Sequence, residues 1–383
     1  MNGSNWHLHV TFANIISIFI NHLYPKSIKM KNLLLTVSGV ILSVALNAQQ
    51  PKTYAEKLGW QKGARVIIIH VDDAGMSHES NEGAEMAIGN GVATSTSVMM
   101  TCPWVADFKH YMDKHPGIDA GLHLTLTSEW EGYRWGPLAG KAVVPGLVDK
   151  EGAFWPTVGA VYFRASAEEI DKEIRAQLDR ALAMGLTPTH LDSHMGTLFA
   201  KPSYLEKYIN LGIEKKIPVM IPGGNDLFYK AEANNAIIAQ LKKDGKYTDD
   251  MAIPDPPELA KAKEMGDIAW KGGLPVLDDL DNSSYDWVMP GIEKVTDKEL
   301  QKWYTDHYIE NFDRFSPGLT MVLMHCTNSS PQFKNICNEG QKRKGDLLAM
   351  IDPRFKAYLK KKGFILTTWR EVMERRGKVG NGE

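Results

Sequence analysis

Two neighbouring carboxylates close an apolar run in Val66-Ile67-Ile68-Ile69-His70-Val71-Asp72-Asp73-Ala74-Gly75. Downstream come Gly121-Leu122-His123-Leu124-Thr125 and His190-Leu191-Asp192-Ser193-His194. Much later His325 follows Leu319 to Met324, a run broken only by Thr320. One carboxylate and two imidazoles are a common ligand set for a divalent ion that keeps open coordination positions, and Asp73, His123 and His194 supply it. Asp192 can accept from a metal-bound imidazole, and burying the flanking His190 and His194 unpaired would be unfavourable. His325 suits acid–base work near neutral pH. Each residue alone also has an ordinary explanation: Asp-Asp-x-Gly is turn composition, His123 could be a core histidine, and His325 could cap a strand.

The three proposed ligands are separated by roughly fifty and seventy residues, which is no local zinc-finger spacing. They need elements that carry distant positions to one place. The run from Val66 is β-branched and continuous, as in a parallel strand covered on both faces, and Gly75 lets the chain turn just past the acids. Consecutive strand residues face opposite ways, so Asp72 and Asp73 are expected to have different tasks. Further strands are expected at 94–100, 119–126, 188–192, 218–221, 319–324 and 364–367. Helices alternate with them: 77–91 capped by Ser80, 103–115 with proline in the first turn, 202–215, and helix-forming sequence around 346–362. Ser166-Ala167-Glu168-Glu169 is a capping-box signature opening an amphipathic helix that Gly185 ends.

Strands of about five residues alternating with helices imply a parallel sheet. The expected fold is α/β, a distorted TIM-like (β/α) barrel with a mostly helical insertion at about 223–315. In that architecture the site lies at the C-terminal ends of the strands. Residues 130–156 form a long irregular stretch, usually functional in a compact domain. Its aromatics, Trp130, Tyr133, Trp135, Phe154 and Trp155, could stack on sugar rings, with packing the favoured expectation for each.

The 383 residues are 43% hydrophobic and 23% charged with a formal net charge of -2. That is ordinary for a soluble protein and gives no sign of a surface for a polyanion, so nucleic acid is not an expected partner. Met30-Lys31-Asn32, an apolar run to Leu46 and then Asn47-Ala48-Gln49-Gln50 read as a signal peptide over 30–48, too short for a comfortable membrane span. Residues 1–29 then read as an over-extended start, and 54–383 as a single barrel domain. An exported product, periplasmic or secreted, with no stable membrane anchor is expected. The three cysteines, Cys102, Cys326 and Cys337, make no disulfide framework and read as buried thiols. The sequence does not choose an oligomeric state.

Together these motifs resemble the YdjC-like family of carbohydrate deacetylases, which includes the chitooligosaccharide deacetylases. Val71-Asp72-Asp73-Ala74-Gly75 resembles its opening Asp-Asp-Phe-Gly, Gly121 to Thr127 its Gly-hydrophobic-His-Leu-x-Leu-Thr, and His190 to His194 its His-x-Asp-Ser-His. Segments around Gly136, Asp149 and Phe154 resemble its connecting loop. The resemblance covers about 65–221 and resumes near Leu319. It implies removal of an acetyl group from an N-acetylated sugar or oligosaccharide, with one divalent ion, zinc or magnesium, held by Asp73, His123 and His194. Asp72 would be the general base and His325 the late catalytic histidine, with His190 and Asp192 supporting the ligands or touching substrate. The chain departs from the family pattern at Ala74 for phenylalanine, at Gly196 for a further histidine, and at Cys326-Thr327 for Pro-Gly.

Two other readings compete. A metal-independent glycoside hydrolase would set Asp72 against a second acid across the bond, leaving the histidines without a task. A non-catalytic exported glycan-binding protein would not need the intact set of acids and histidines.

Overall fold

A single helical turn, α1 (Tyr54–Lys57), leads into strand β1 (Arg65–Ala74), whose residues from Val66 onward are all buried. The computed structural model describes residues 53–248, 251, 253 and 257–380; the leader and the stretch before it lie outside the described residues. Helix α2 (His78–Gly89), strand β2 (Ser95–Val98), helix α3 (Val105–Lys114) and strand β3 (Ala120–Leu124) follow. Ser77, not Ser80, caps α2: its hydroxyl accepts from the Ser80 N–H at 3.1 Å. Pro103 stays outside α3, whose N-cap is Trp104.

After the long loop come α4 (Val158–Arg164), α5 (Ala167–Ala183), strand β4 (Leu191–Ser193) and α6 (Pro202–Lys215). The capping box at Ser166 and Glu169 is formed on both sides. Ile170, Ile174, Leu178 and Ala181 bury one face of α5. The same helix buries two polar residues that hold the site's surroundings. Gln177 exchanges two hydrogen bonds with the Thr125 backbone at the end of β3. Glu173 accepts from the Leu138 and Ala139 N–H groups of the long loop.

The remaining elements are α7 (Leu227–Lys243), α8 (Pro257–Lys271), β5 (Asp279–Asp281), α9 (Asp297–Phe312), β6 (Gly318–Met324), α10 (Gly340–Met350), α11 (Pro353–Lys362), β7 (Ile365–Leu366) and α12 (Trp369–Lys378). The segment 223–315, expected as a helical insertion, therefore also contributes a strand to the sheet. Three aspartates within 278–281 disguised β5 as loop. Asp278 accepts from the Tyr54, Ala55 and Leu319 N–H groups, and Asp279 accepts from the Phe228 and Tyr229 N–H groups. They are buried because they satisfy backbone donors that water cannot reach.

All strand pairs are parallel, in the order β4-β3-β2-β1-β6-β5, with β7 beside the start of β1. The sheet curls with helices around it. Single bridges from Leu191 to Val219 and from Pro222 to Leu277 link the outer strands β4 and β5, so 218–222 closes the curve with isolated contacts rather than the expected strand. This is the distortion of the barrel. The three cysteines are buried and free.

Candidate metal centre and active site

Every predicted site residue except His190 lies at or just past the C-terminal end of a strand. Asp72 and Asp73 are the third- and second-last residues of β1, β3 holds His123, and β4 holds Asp192 with His194 immediately after. His325 follows β6. The alternation expected for Asp72 and Asp73 does not hold. The β1–β2 register shifts between Val71 and Ala74, and Asp73 takes φ = 66°, an unusual conformation for a residue with a side chain. The two carboxylates consequently reach the two nitrogens of one imidazole: Asp72 Oδ1 is 3.7 Å from His123 Nδ1, and Asp73 Oδ1 is 3.4 Å from His123 Nε2.

Asp73 Oδ1 also lies 3.5 Å from His194 Nδ1, so Asp73, His123 and His194 converge. The outer nitrogen of each imidazole is already engaged. His123 Nδ1 is 2.7 Å from Asp192 Oδ1, a neighbour fixed by the β3–β4 register. His194 Nε2 is 3.0 Å from Glu129 Oε2. Proton donation to those carboxylates leaves a lone pair on each inner nitrogen, both facing Asp73. Asp73 Oδ1 and His123 Nε2 are buried without a hydrogen-bond partner, which is costly unless another group completes them. The donor set and its two orphaned atoms fit a divalent cation. Burial alone would lower the His194 pKa, but Glu129 and Asp73 carry it to about 10; burial is likewise outweighed by Asp192 and Asp72 at His123, whose pKa is raised. The cluster draws in positive charge, and a bound cation would displace those protons.

Behind these ligands lies His70, which the sequence reading passed over. It is fully buried and places Nε2 3.1 Å from Asp72 Oδ1 and 3.0 Å from Asp192 Oδ2. Nδ1 faces Ser95 Oγ at 3.1 Å. Burial opposes its protonation, yet Asp192 and Asp72 raise it to about 9, so an imidazolium ties the two acids together. The signal was available: His70 is two residues before Asp72 on a strand, and i, i+2 positions share a face.

His190 is fully buried beyond Asp192. Its ring stacks on Trp369 with centroids 5.2 Å apart, and Nε2 is 3.6 Å from Asp192 Oδ2. It touches Asp192 and Trp369 and is not among the residues lining the cavity. Gly121 leaves space for this ring, since a Cβ there would come within 2.4 Å of it.

The cavity over the cluster has a volume of about 800 Å³ and is lined by Asp72, His123, His194 and His325 among others. Three more residues enter from distant elements. Tyr285 donates its hydroxyl to Asp72 Oδ2 at 2.8 Å and stacks on His325 at 4.5 Å. Arg343 of α10 places Nη1 2.6 Å from Asp73 Oδ2, and Glu129 orients His194. His325 Nε2 is 3.4 Å from the same Asp73 oxygen. Burial and then Arg343 push His325 down to about 4. Burial opposes ionisation of Asp73, but His325, Arg343 and His194 hold its carboxyl well below the usual range. Since His325 is neutral at pH 7, Arg343 is the permanent cation among them. Most loop aromatics pack: Trp135 donates to Thr127 O and Trp155 to Gly146 O, Phe154 is fully buried, and Trp130 lines the cavity.

The profile of a family described as YdjC-like protein matches residues 66–361. A carbohydrate deacetylase from Thermus thermophilus is 36% identical over 168 residues, 44% of this chain and 57% of that protein. A chitooligosaccharide deacetylase from Yersinia enterocolitica is 28% identical over 163 residues, 41% of this chain and 59% of the relative. The chain thus spans somewhat over half the length of these curated relatives. Among solved structures, a proposed cellobiose-phosphate cleavage protein from Enterococcus faecalis superposes with a TM-score of 0.58 at 18% identity, covering 81% of this chain and 99% of the other. That similarity establishes the fold.

Proposed function

The chain belongs to the YdjC-like family, and from that premise we propose that it is a metal-dependent carbohydrate deacetylase, hydrolysing the amide of an N-acetylated sugar or oligosaccharide. One observation carries the reading: Asp73 Oδ1, His123 Nε2 and His194 Nδ1 converge, with each imidazole's other nitrogen occupied by a carboxylate. A glycoside hydrolase would have no use for that convergence.

Asp73, His123 and His194 would hold one divalent ion, zinc or magnesium. Such an ion supplies Lewis acidity toward an amide carbonyl and lowers the pKa of water. Asp72 is the base. It lines the cavity, and burial, which disfavours its charge, is outweighed by His123 and His70, so its pKa is lowered. Tyr285 holds one Asp72 oxygen and His70 lies beside the other, which aims the carboxylate before substrate arrives. His325 gives a proton to the departing nitrogen. Because the resting ring is neutral, the proton it passes on is one released by the attacking water, which keeps the hydrolysis balanced. Its stacking on Tyr285 and the Asp346 carboxylate at its backbone N–H, 3.1 Å away, fix its place at the rim.

Elemental analysis of wild type and His194→Ala tests the centre. About one divalent ion per chain, absent from the variant, is expected together with acetate release from N-acetylated oligosaccharides. No ion in wild type after exposure to zinc, magnesium, manganese and cobalt would overturn the reading. An apolar leader at 30–48 would make this an exported enzyme, with a mature N-terminus just past Ala48; a mature N-terminus at or upstream of residue 30 would refute that part.

A further inference from the structure

The cavity has two chemically distinct halves. One carries the acids, imidazoles and guanidinium already described. The other is walled by Phe199, Leu205, Met220, Leu259, Ala262 and Leu280. Leu205, Met220, Ala262 and Leu280 are each less than a tenth exposed, so this is an enclosed wall rather than a surface patch. Between Met195 and Leu280, the polar side chains on the cavity wall among the described residues are Tyr229 and Lys261. Lys261 points its ammonium at Glu264, 2.9 Å away.

A sugar ring offers hydroxyls around its rim, and each needs a hydrogen-bonding partner when it leaves water. Leucine, methionine and alanine side chains provide none. They do match an alkyl chain, which gains by leaving water wherever it is enclosed by carbon. The volume, about 800 Å³, is toward the upper end for small-molecule pockets.

The backbone just past His194 also lines the cavity. Met195 and Gly196 follow His194 with φ of 53° and 63°. Strain at a residue such as Met195 persists where the surroundings enforce it and concentrates at functional sites. Both residues line the cavity. Met195 is 46% exposed, and no atom lies within 4 Å of where a Gly196 Cβ would be. Open space therefore adjoins the two residues that follow the ligand His194.

We propose that the substrate is an N-acylated amino sugar bearing an aliphatic chain of several carbons, with the sugar and amide in the polar half and the chain along the apolar wall. The placement of the amide rests on the deacetylase reading. The chain could enter as the aglycone or as the acyl group, and the same wall would receive either. Hydrolysis balances as amide plus water to carboxylate plus amine, with no further reactant.

The test is calorimetric binding of the methyl and octyl glycosides of N-acetylglucosamine, and of N-octanoylglucosamine, to the full chain. Each enclosed methylene strengthens binding by roughly threefold to fourfold, so the octyl glycoside, or N-octanoylglucosamine if the acyl side is the entry, should bind at least about fiftyfold more tightly than the methyl glycoside. Leu259→Asp and Ala262→Trp should each abolish that ratio and leave the methyl glycoside's affinity unchanged. If either variant fails to fold, the chain-length comparison on wild type still decides. All three ligands binding within threefold of one another, or a ratio untouched in both folded variants, would overturn the proposal. Acetate release is read separately. Chain preference without amide hydrolysis under any supplied metal retains this ligand class and refutes the deacetylase reading; hydrolysis without chain preference does the reverse.

Discussion

Asp192 Oδ1 lies 2.7 Å from His123 Nδ1, and this contact determines which face of the imidazole is left to bind a cation. With the proton held on Nδ1, the lone pair is on Nε2, the atom that faces Asp73. Asp192→Asn removes the anionic acceptor and frees the ring to change tautomer. Metal affinity, measured by competition with a chromophoric chelator, should fall by about 10- to 100-fold. Unchanged affinity would mean that the contact does not govern the tautomer.

Asp72 and the metal ligands should separate cleanly by substitution. Asp72→Asn is expected to retain its ion in elemental analysis while kcat falls by at least about 100-fold, the range for loss of a positioned base. Loss of the ion together with activity would assign Asp72 to the metal instead.

Tyr285→Phe tests the preparation of that base. The phenol hydrogen bond favours the ionised carboxylate, so its removal raises the Asp72 pKa. A base works as the anion, so activity that depends on Asp72 would be present above its pKa and lost as pH falls through it. The acid limb of the kcat/KM profile should therefore move to higher pH in the variant. An unmoved limb would dissociate Tyr285 from Asp72.

A different carboxyl should shape stability. Asp226 is 3% exposed, and burial, with Asp279 and Asp278 adding to it, raises its pKa to about 8. The folded state binds this proton more tightly than the unfolded chain does. Stability from this group is thus fully present below about pH 4 and lost as pH rises through 8. Asp226→Asn keeps the shape and removes the titration. It should raise the melting temperature relative to wild type at pH 9 and change little at pH 4. Equal differences at both pH values would show that the carboxyl does not titrate there.

Gly121→Ala is expected to destabilise the fold by about 2 kcal/mol in urea titration, within the range for overpacking a filled core, because the added carbon meets the His190 ring. A neutral effect would mean that the ring can move aside.

Much of the centre was legible because its parts are local motifs at strand ends. Asp73, His123 and His194 are short-range features of three βα units, and a parallel sheet presents such ends side by side. Glu129, Tyr285 and Arg343 were not legible, since an acid after a strand, a tyrosine in a turn and an arginine in a helix carry no pattern until the chain folds. β5 was missed because Asp278, Asp279 and Asp281 mimic loop composition while accepting hydrogen bonds in the interior. The different orientations expected of Asp72 and Asp73 followed strand periodicity, and the left-handed backbone at Asp73 broke it.

Asp278 has one more consequence. A single carboxylate receives the N–H groups of Tyr54 and Ala55 at the head of the domain and that of Leu319 at the foot of β6. The strand that leads to His325 is therefore latched to the first turn of α1. A cut beyond Tyr54 would remove two of the three donors and leave a buried acid beneath β6 short of partners. How far the chain can be shortened from its N-terminal side thus has a physical limit, set at the opposite end of the sheet from the candidate site.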